Sequence, residues 1–335
     1  MKLLEIEDIK KIVSTVGYGE FYSILIKTLE EDYSNWESFD KTPRVANHVD
    51  GGVIELMPIS DDSLYTFKYV NGHPKNPSQN KMTVMATGQL SEVSTGEPLM
   101  FTEMTLLTAF RTAANSAMSA KYLAKKDSKV LTLIGTGAQS EFQYLAFSGI
   151  FDLEEIRYFD SDPKAMDKFE ENMAQYDIQI TRCFGTKEAV LGADIITTCT
   201  ADKRYQTVLT KDMIGNDVYI NAIGGDCPGK TELEKELVEN STVVCEFLEQ
   251  CKIEGEIQQL DENFSCPELY EIIRGEKIIN VETHGTVVFD SVGFAIEDYS
   301  VLRLIYRLSN ELNIGKQMNL IPKLDNVKNL FSLLK

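Results

Sequence analysis

From Lys129 onward, short apolar runs ending at polar or glycine residues alternate with stretches of helical spacing, and this alternation constrains the fold more than any other feature. Lys129–Ile134 (KVLTLI) is β-rich and stops at Gly135, and Ser140–Phe147 follows with helical periodicity. Glu155–Asp160 (EIRYFD) is the next strand candidate, and Asp162-Pro163 reads as an N-cap with proline at the first helical position. Ile178–Cys183, Asp194–Cys199, Val218–Ile223 and Thr242–Phe247 are further strand candidates, most with helical stretches between them. Strands alternating with helices predict a parallel, doubly wound sheet with right-handed crossovers.

The residues before this region follow another pattern. Amphipathic stretches near Ile6–Val13 and Glu20–Glu31 precede strand candidates Arg44–Val49, Val53–Met57, Leu64–Val70 and Met82–Leu90, which Gly, Pro, Asn and Asp separate. This predicts an α+β block with a mainly antiparallel sheet. Thr105–Ala124, rich in Ala and Thr with helical periodicity, links the two blocks. Phe294–Leu312 predicts a long helix with Val301, Leu304, Ile305, Leu308 and Leu312 on one side, closed by Gly315. A return of the tail Leu320–Lys335 to the first block would make that domain discontinuous.

Composition narrows the function classes. At 335 residues, two domains is the natural expectation, and 43% apolar with 25% charged residues is ordinary globular composition. Lys plus Arg is 33 against 52 for Asp plus Glu, a net charge of −19 that argues against nucleic acid or an anionic membrane as the main partner. No apolar run reaches the ~20 residues of a membrane helix. Met1–Asp8 carries acids where an export signal carries a long apolar stretch. The cysteines Cys183, Cys199, Cys227, Cys245, Cys251 and Cys266 form no C-x-x-C pair, and His48, His73 and His284 add no zinc-ligand spacing. We therefore expect free thiols in a reducing cytoplasm, no metal, and chemistry carried by Asp, Glu, Lys and Arg.

Gly135-Thr136-Gly137-Ala138-Gln139-Ser140 is G-x-G-x-x-S placed directly after a strand candidate and opening a helix, the context of a dinucleotide fingerprint. Gly135 permits the tight turn, Gly137 lets backbone approach a pyrophosphate, and helix N-terminal amides point at that anion. Ser140 stands where a third glycine is usual, and a small residue there still allows close packing. Asp160 ends the second strand candidate, where an acid holds a ribose 2′-hydroxyl and repels a 2′-phosphate; NAD is favoured over NADP. Taken alone the glycines could simply make a turn; the surrounding strands, helix and acid favour a Rossmann-type site.

Val218–Ile223 runs into Gly224-Gly225-Asp226-Cys227-Pro228-Gly229-Lys230, and Thr231-Glu232-Leu233-Glu234 then reads as a capping box. Asp226 falls in a loop at the carboxyl end of a strand, where doubly wound folds hold ligands. A plain turn aspartate fits the composition equally well.

Ala222 to Glu232, Arg44-Val45-Ala46, Val53 to Pro58 and Phe67 to Pro74 resemble the bacterial ornithine cyclodeaminase branch of the ornithine cyclodeaminase/mu-crystallin family. So do Gly137 to Gln143, Ile253 to Gln259 and Phe289 to Ala295, and the resemblance spans nearly the whole chain. It implies conversion of L-ornithine to L-proline and ammonia, an ammonia-lyase reaction in which tightly held NAD is reduced and reoxidised within one cycle. It implies a homodimer, with residues 1–112 and 316–335 forming the substrate and dimerisation domain and 113–315 the NAD domain. Carried over by motif, Asp226 is the catalytic acid/base, Arg44, Lys68 and Arg111 hold the substrate carboxylate, Glu55 faces the distal amine, and Val292 lines the substrate. Thr83, Arg111, Gly135, Gly137, Ala138, Gln139, Asp160, Thr200, Ile223, Gly224, Gly225, Asp226, Lys230 and Ser291, with Val292, line the NAD site.

The implied roles suit the chemistry. Ornithine brings one carboxylate and two ammonium groups, and charge-assisted hydrogen bonds contribute ~1.5–3 kcal/mol each. Arg111 is a lone charge in an Ala/Thr/Leu-rich helix, so it needs a partner if buried, and a bound anion would serve. Strand alternation places Lys68 on the face of Thr66 and Val70, which does not by itself separate a buried role from surface charge. An aspartate at its reference pKa of ~3.9 is a poor base for an amine near ~10.4, so Asp226 must be raised by burial or the amine lowered by the site's positive charge. An NAD(P)-dependent imine reductase or opine-type dehydrogenase, a non-catalytic binding protein, and lysine in place of ornithine are the competing readings.

Overall fold

The computed structural model describes residues 1–200 and 207–335. Its first sheet holds β1 (Lys2–Leu4), β2 (Val45–Val49), β3 (Gly52–Ser60), β4 (Leu64–Gly72), β5 (Val84–Glu92), β6 (Pro98–Glu103) and, from the far end of the chain, β14 (Lys316–Gln317). The order is β14-β1-β6-β5-β4-β3-β2, antiparallel except where β1 runs parallel to β6. The second sheet holds β7 (Val130–Ile134), β8 (Glu155–Phe159), β9 (Gln179–Arg182), β10 (Ile195–Thr198), β11 (Tyr219–Ala222), β12 (Thr242–Cys245) and β13 (Val287–Asp290). All its strands are parallel, in the order β12-β13-β11-β10-β7-β8-β9. The strand order reverses between β7 and β10, which puts a ligand crevice at the carboxyl ends of those two strands. The expected fold class, a doubly wound parallel sheet joined to an α+β block, is the one observed.

The helices are α1 (Ile6–Val16), α2 (Tyr18–Ser34), α3 (Thr105–Leu123), α4 (Ser140–Phe147), α5 (Pro163–Met173), α6 (Thr186–Val190), α7 (Lys235–Glu239), α8 (Leu248–Glu254), α9 (Leu269–Ile273) and α10 (Ala295–Glu311). α4 and α5 start where the sequence places them, and the Asp162 side chain accepts the Lys164 amide. α3 is buried on nearly every side and packs on α2, α4, β5 and the parallel strands β11 and β13, joining the two blocks. On β3 and β4, period-two alternation sends Val53, Glu55, Met57 and Ile59, and Thr66, Lys68 and Val70, to one buried face. α10 covers that face.

Four differences from the sequence reading have physical causes. β6 begins at Pro98, a residue that ordinarily argues against a strand, and pairs with β5 across an irregularity at Leu90/Ser91. β1, β13 and β14 were likewise not anticipated; β1 and β14, of three and two residues, are too short to show a period. The Thr231–Glu234 capping box does not form: α7 starts at Lys235, the Glu234 amide donates to the Leu209 carbonyl, and the Glu234 carboxylate accepts the Lys211 amide. α10 is ended by Leu312 and the left-handed Asn313 (φ 53°), not by Gly315, whose φ of 104° serves a close approach to Leu4. Finally, α10 packs on α2 and on β3, β4 and β5, so it stands with the antiparallel block, whereas a boundary at 315 assigns it to the parallel one. β14 pairs with β1 at Lys316–Gln317, ahead of the Leu320–Lys335 tail. Among the described residues, no helix is long and apolar enough to cross a membrane.

Candidate active site

The glycine-rich loop lies at the crevice. Gly135 has φ 103°, and a Cβ there would sit 2.8 Å from the Cys199 carbonyl, so the turn requires glycine. Gly137 faces open space, and Gly137 and Ala138 are exposed. Ser140 is buried and its hydroxyl donates to the Gly137 carbonyl at 3.0 Å, so a small side chain at the third position is accommodated by local bonding. Gln139, at the start of α4, carries a buried Oε1 with no hydrogen-bond partner. Asp160, directly after β8, accepts the Thr136 amide at 2.6 Å and the Asp162 amide at 2.9 Å. An open approach to Gly137, an orphaned acceptor at the helix start and an acid at the end of the second strand together fit a dinucleotide.

The neighbouring strand ends complete the crevice. Ile223 donates its amide to Thr198, and the Thr200 carbonyl accepts the Lys230 ammonium at 2.8 Å. Lys230 also reaches Asp226 Oδ1 at 3.3 Å. Lys230 is buried, and the Asp226 side chain is 43% exposed. Gly224 and Gly225 are buried against the carboxylates of Glu232 and Glu256. Thr83 sits apart from these residues in its described contacts; its carbonyl accepts from His73 and Asn71 at the start of β5.

A second group is buried between the blocks. Arg44 Nη1 donates to both oxygens of Glu55 at 3.2 Å, its Nη2 to the carbonyls of Val292 and Gly293 at 2.5 Å, and its Nε faces Glu254 at 3.1 Å. Lys68 Nζ and Arg111 Nε share Asp298 Oδ1, at 2.9 and 3.1 Å, and Arg111 Nη1 meets Glu297 at 2.7 Å. Each expected cation is thus partnered by an acid of this chain, so the anion that Arg111 needs is supplied from α10. Burial acts to discharge both arginines, but the facing acids hold their pKa values above the ordinary range. Burial, with Arg111 nearby, brings Lys68 down to about 8. Ser291 and the Gly293 amide donate to Glu246, at 3.2 and 2.9 Å, and Glu246 hydrogen-bonds Glu297. Burial and the Glu297 charge push Glu246 well up, while Arg111 overcomes the burial of Glu297 and keeps it low, so the proton of this pair resides on Glu246. The charge of Arg44 also acts on Asp226, which connects the two groups.

Glu246, Glu254, Glu297 and Asp298 were not singled out from sequence. Glu297 and Asp298 fall in the first turn of α10, where acids ordinarily serve the helix dipole. Their signal was the absence of any apolar reason for two adjacent acids at the buried start of a helix. Among the described residues, no cluster of three or more His, Cys, Asp or Glu could hold a metal ion.

The sequence profile of the ornithine cyclodeaminase/mu-crystallin family matches residues 7–312. The chain is 46% identical to the ornithine cyclodeaminase of Agrobacterium fabrum over 331 residues, which is 99% of this chain and 94% of that protein. A solved lysine cyclodeaminase, described for its recognition of L-lysine, L-ornithine and L-2,4-diaminobutyric acid, superposes with a TM-score of 0.93 at 28% identity, covering 99% of both chains. An archaeal alanine dehydrogenase dimer with bound NAD superposes with a TM-score of 0.88 at 29% identity, covering 96% of this chain and 99% of that one. On the extent of these matches, the chain belongs to the ornithine cyclodeaminase/mu-crystallin family.

Proposed function

We propose that this protein is an NAD-dependent cyclodeaminase that converts L-ornithine to L-proline and ammonia. The observation that carries the reading is the charge of the buried group. Arg44, Lys68 and Arg111 face the acids Glu55, Glu254, Glu297 and Asp298, three basic side chains against four carboxyl groups among the described residues. Ornithine, with two ammonium groups and one carboxylate, carries one net positive charge; a monoamino acid such as alanine carries none. A site built this way accepts the carboxylate on its cations and retains an acid for the second ammonium.

In this reading Arg44, Lys68 and Arg111 take the substrate carboxylate by exchanging acid partners. Glu55, beside Arg44, is released toward the distal amine, and Val292 packs on the substrate chain. NAD, when bound along Gly135–Gln139, Asp160, Thr200, Ile223–Gly225, Lys230 and Ser291, supplies a hydride acceptor for the α-carbon and returns that hydride after cyclisation. Asp226, beside Lys230, takes and returns protons at the amino groups. The folded substrate closes its five-membered ring intramolecularly, where effective molarities reach ~10⁵ M or more, so the walls of the site mainly hold the chain bent. Thr83 joins this site only if another element brings it there. The domains divide as 1–112 with 294–335 for substrate and 113–293 for NAD.

A second copy of this chain covers the outward face of the antiparallel sheet. Val45, Leu56 and Tyr69 lie in register across β2, β3 and β4, and all three are exposed. Six free cysteines suit a reducing cytoplasm. The fold likeness to alanine dehydrogenase favours a net oxidoreductase as the second reading. Incubating the protein with ornithine and substoichiometric NAD separates the two: proline and ammonia in equal amounts without accumulating NADH are expected, and NADH formed in step with product overturns the cyclodeaminase reading.

A further inference from the structure

Behind the Asp226 loop, three buried carboxylates stand in series. Asp290, at the end of β13, accepts the amides of Glu256 and Ile257 at 2.8 and 3.0 Å. Glu256 accepts the amides of Glu232 and Leu233 at 2.7 and 3.0 Å. Glu232 accepts the Thr200 amide at 3.0 Å and the Thr200 hydroxyl. Each acid therefore grips the segment that carries the next, and the series runs from the end of β13 to the end of β10. All three side chains are fully buried.

Glycines line this series where it passes the loop. A Cβ on Gly255 would lie 2.4 Å from the Asp290 carboxylate, one on Gly225 2.9 Å from that of Glu256, and one on Gly224 1.8 Å from that of Glu232. Gly224 and Gly225 are the two residues before Asp226. Lys230 closes the far end, bonding both the Thr200 carbonyl and Asp226.

Buried carboxylates are costly, and apolar residues would hold a loop more cheaply. What a carboxylate adds is two acceptors side by side. Paired amides on one rigid group fix a segment in rotation as well as position, and a single hydroxyl or an apolar contact does not. Resting on the reading that Asp226 handles protons beside NAD, we propose that Glu232, Glu256 and Asp290 are positioning residues that lock the Gly224-Gly225-Asp226 loop to Thr200.

The test uses the full-length protein and four variants: Glu256→Gln, Glu232→Ala, Gly224→Ala and the double variant Gly224→Ala/Glu232→Ala. NAD affinity, kcat and KM for ornithine are measured below the melting temperature of each. Glu256→Gln turns an N–H toward a backbone amide, so kcat falls by ~10–100-fold and NAD binds several-fold more weakly, while KM stays within about 2-fold. Gly224→Ala collides with the Glu232 carboxylate and loses a similar factor. In the double variant that collision is gone, so its kcat is no lower than that of Glu232→Ala alone. A structural role only would lower the melting temperature without this split between kcat and KM. Glu256→Gln and Glu232→Ala with kcat and NAD affinity within about 2-fold of wild type overturn the proposal, as do losses that multiply in the double variant. If Glu256→Gln does not fold, the Gly224/Glu232 pair decides. Wild-type protein inert toward ornithine would overturn the functional reading itself, before any variant is made.

Discussion

Replacing Asp298 with Asn probes how the buried cations are held. Asp298 Oδ1 receives Lys68 at 2.9 Å and Arg111 at 3.1 Å, with no exposure. Asparagine keeps the shape and an acceptor but removes the charge. Arg111 keeps Glu297 at 2.7 Å and stays charged. Lys68 has an escape that Arg111 lacks. Burial and Arg111 already lower it from 10.5 to about 8, so at pH 7 it keeps its proton by only about one pH unit. Giving that proton up costs on the order of 1 kcal/mol, which is the ceiling on what the variant loses through Lys68. The folded pKa lies below the unfolded one, so the burial penalty on the wild-type ammonium is full below pH 8, and above pH 8 wild type and variant share a neutral Lys68. Urea unfolding should therefore show a deficit of about 1 kcal/mol at pH 7 that shrinks toward zero at pH 9. A neutral Lys68 also grips a carboxylate poorly, so KM for ornithine should rise ~10-fold or more at pH 7. A loss of ~3–5 kcal/mol at both pH values, the cost of leaving a buried charge unpaired, would refute this reasoning.

Three further outcomes are expected. Asp226→Asn keeps NAD affinity within about 2-fold but loses ~10²–10⁴-fold in turnover, measured as proline formed; near-normal turnover removes Asp226 as the proton carrier. Gly135→Ala, forced into φ 103° and against the Cys199 carbonyl, loses more than ~1 kcal/mol in thermal unfolding and weakens NAD binding; an unchanged melting temperature contradicts the turn geometry. Leu56→Arg, in the exposed row with Val45 and Tyr69, yields monomers by light scattering, and a persisting dimer moves the interface elsewhere.

The parallel sheet was legible because short β-rich runs alternate with stretches of helical spacing and are punctuated by Gly135, Asp160 and the Gly224-Gly225 pair. β6 was hidden by Pro98, since proline signals the end of a strand whether or not its partner tolerates it. Arg44, Lys68 and Arg111 were legible as candidates, and of the acids that face them Glu55 was named but Glu254, Glu297 and Asp298 were not. Arg111 was recognisable as a lone charge in an Ala/Thr-rich helix, yet its partner Glu297 lies 186 residues away. No local pattern reports such a distance. The Thr231–Glu234 signature failed for a related reason: the donors and acceptors of a cap are equally available to distant groups, and the Leu209 carbonyl and the Lys211 amide took those of Glu234. The sequence left open whether burial of Asp226 or the positive charge of the site matches acid to amine, and the opening of the Gly/Pro loop, which leaves that side chain 43% exposed, was not legible in it.

The central claim is that an electron pair leaves the α-carbon of ornithine and comes back to the same skeleton without escaping the site. L-Ornithine deuterated at the α-carbon, turned over in ordinary water with catalytic NAD, tests it through the mass spectrum of the product. The account predicts proline that retains the deuterium at its α-carbon, with a primary isotope effect on turnover. Proline carrying hydrogen from solvent or from unlabelled cofactor at that carbon would contradict it.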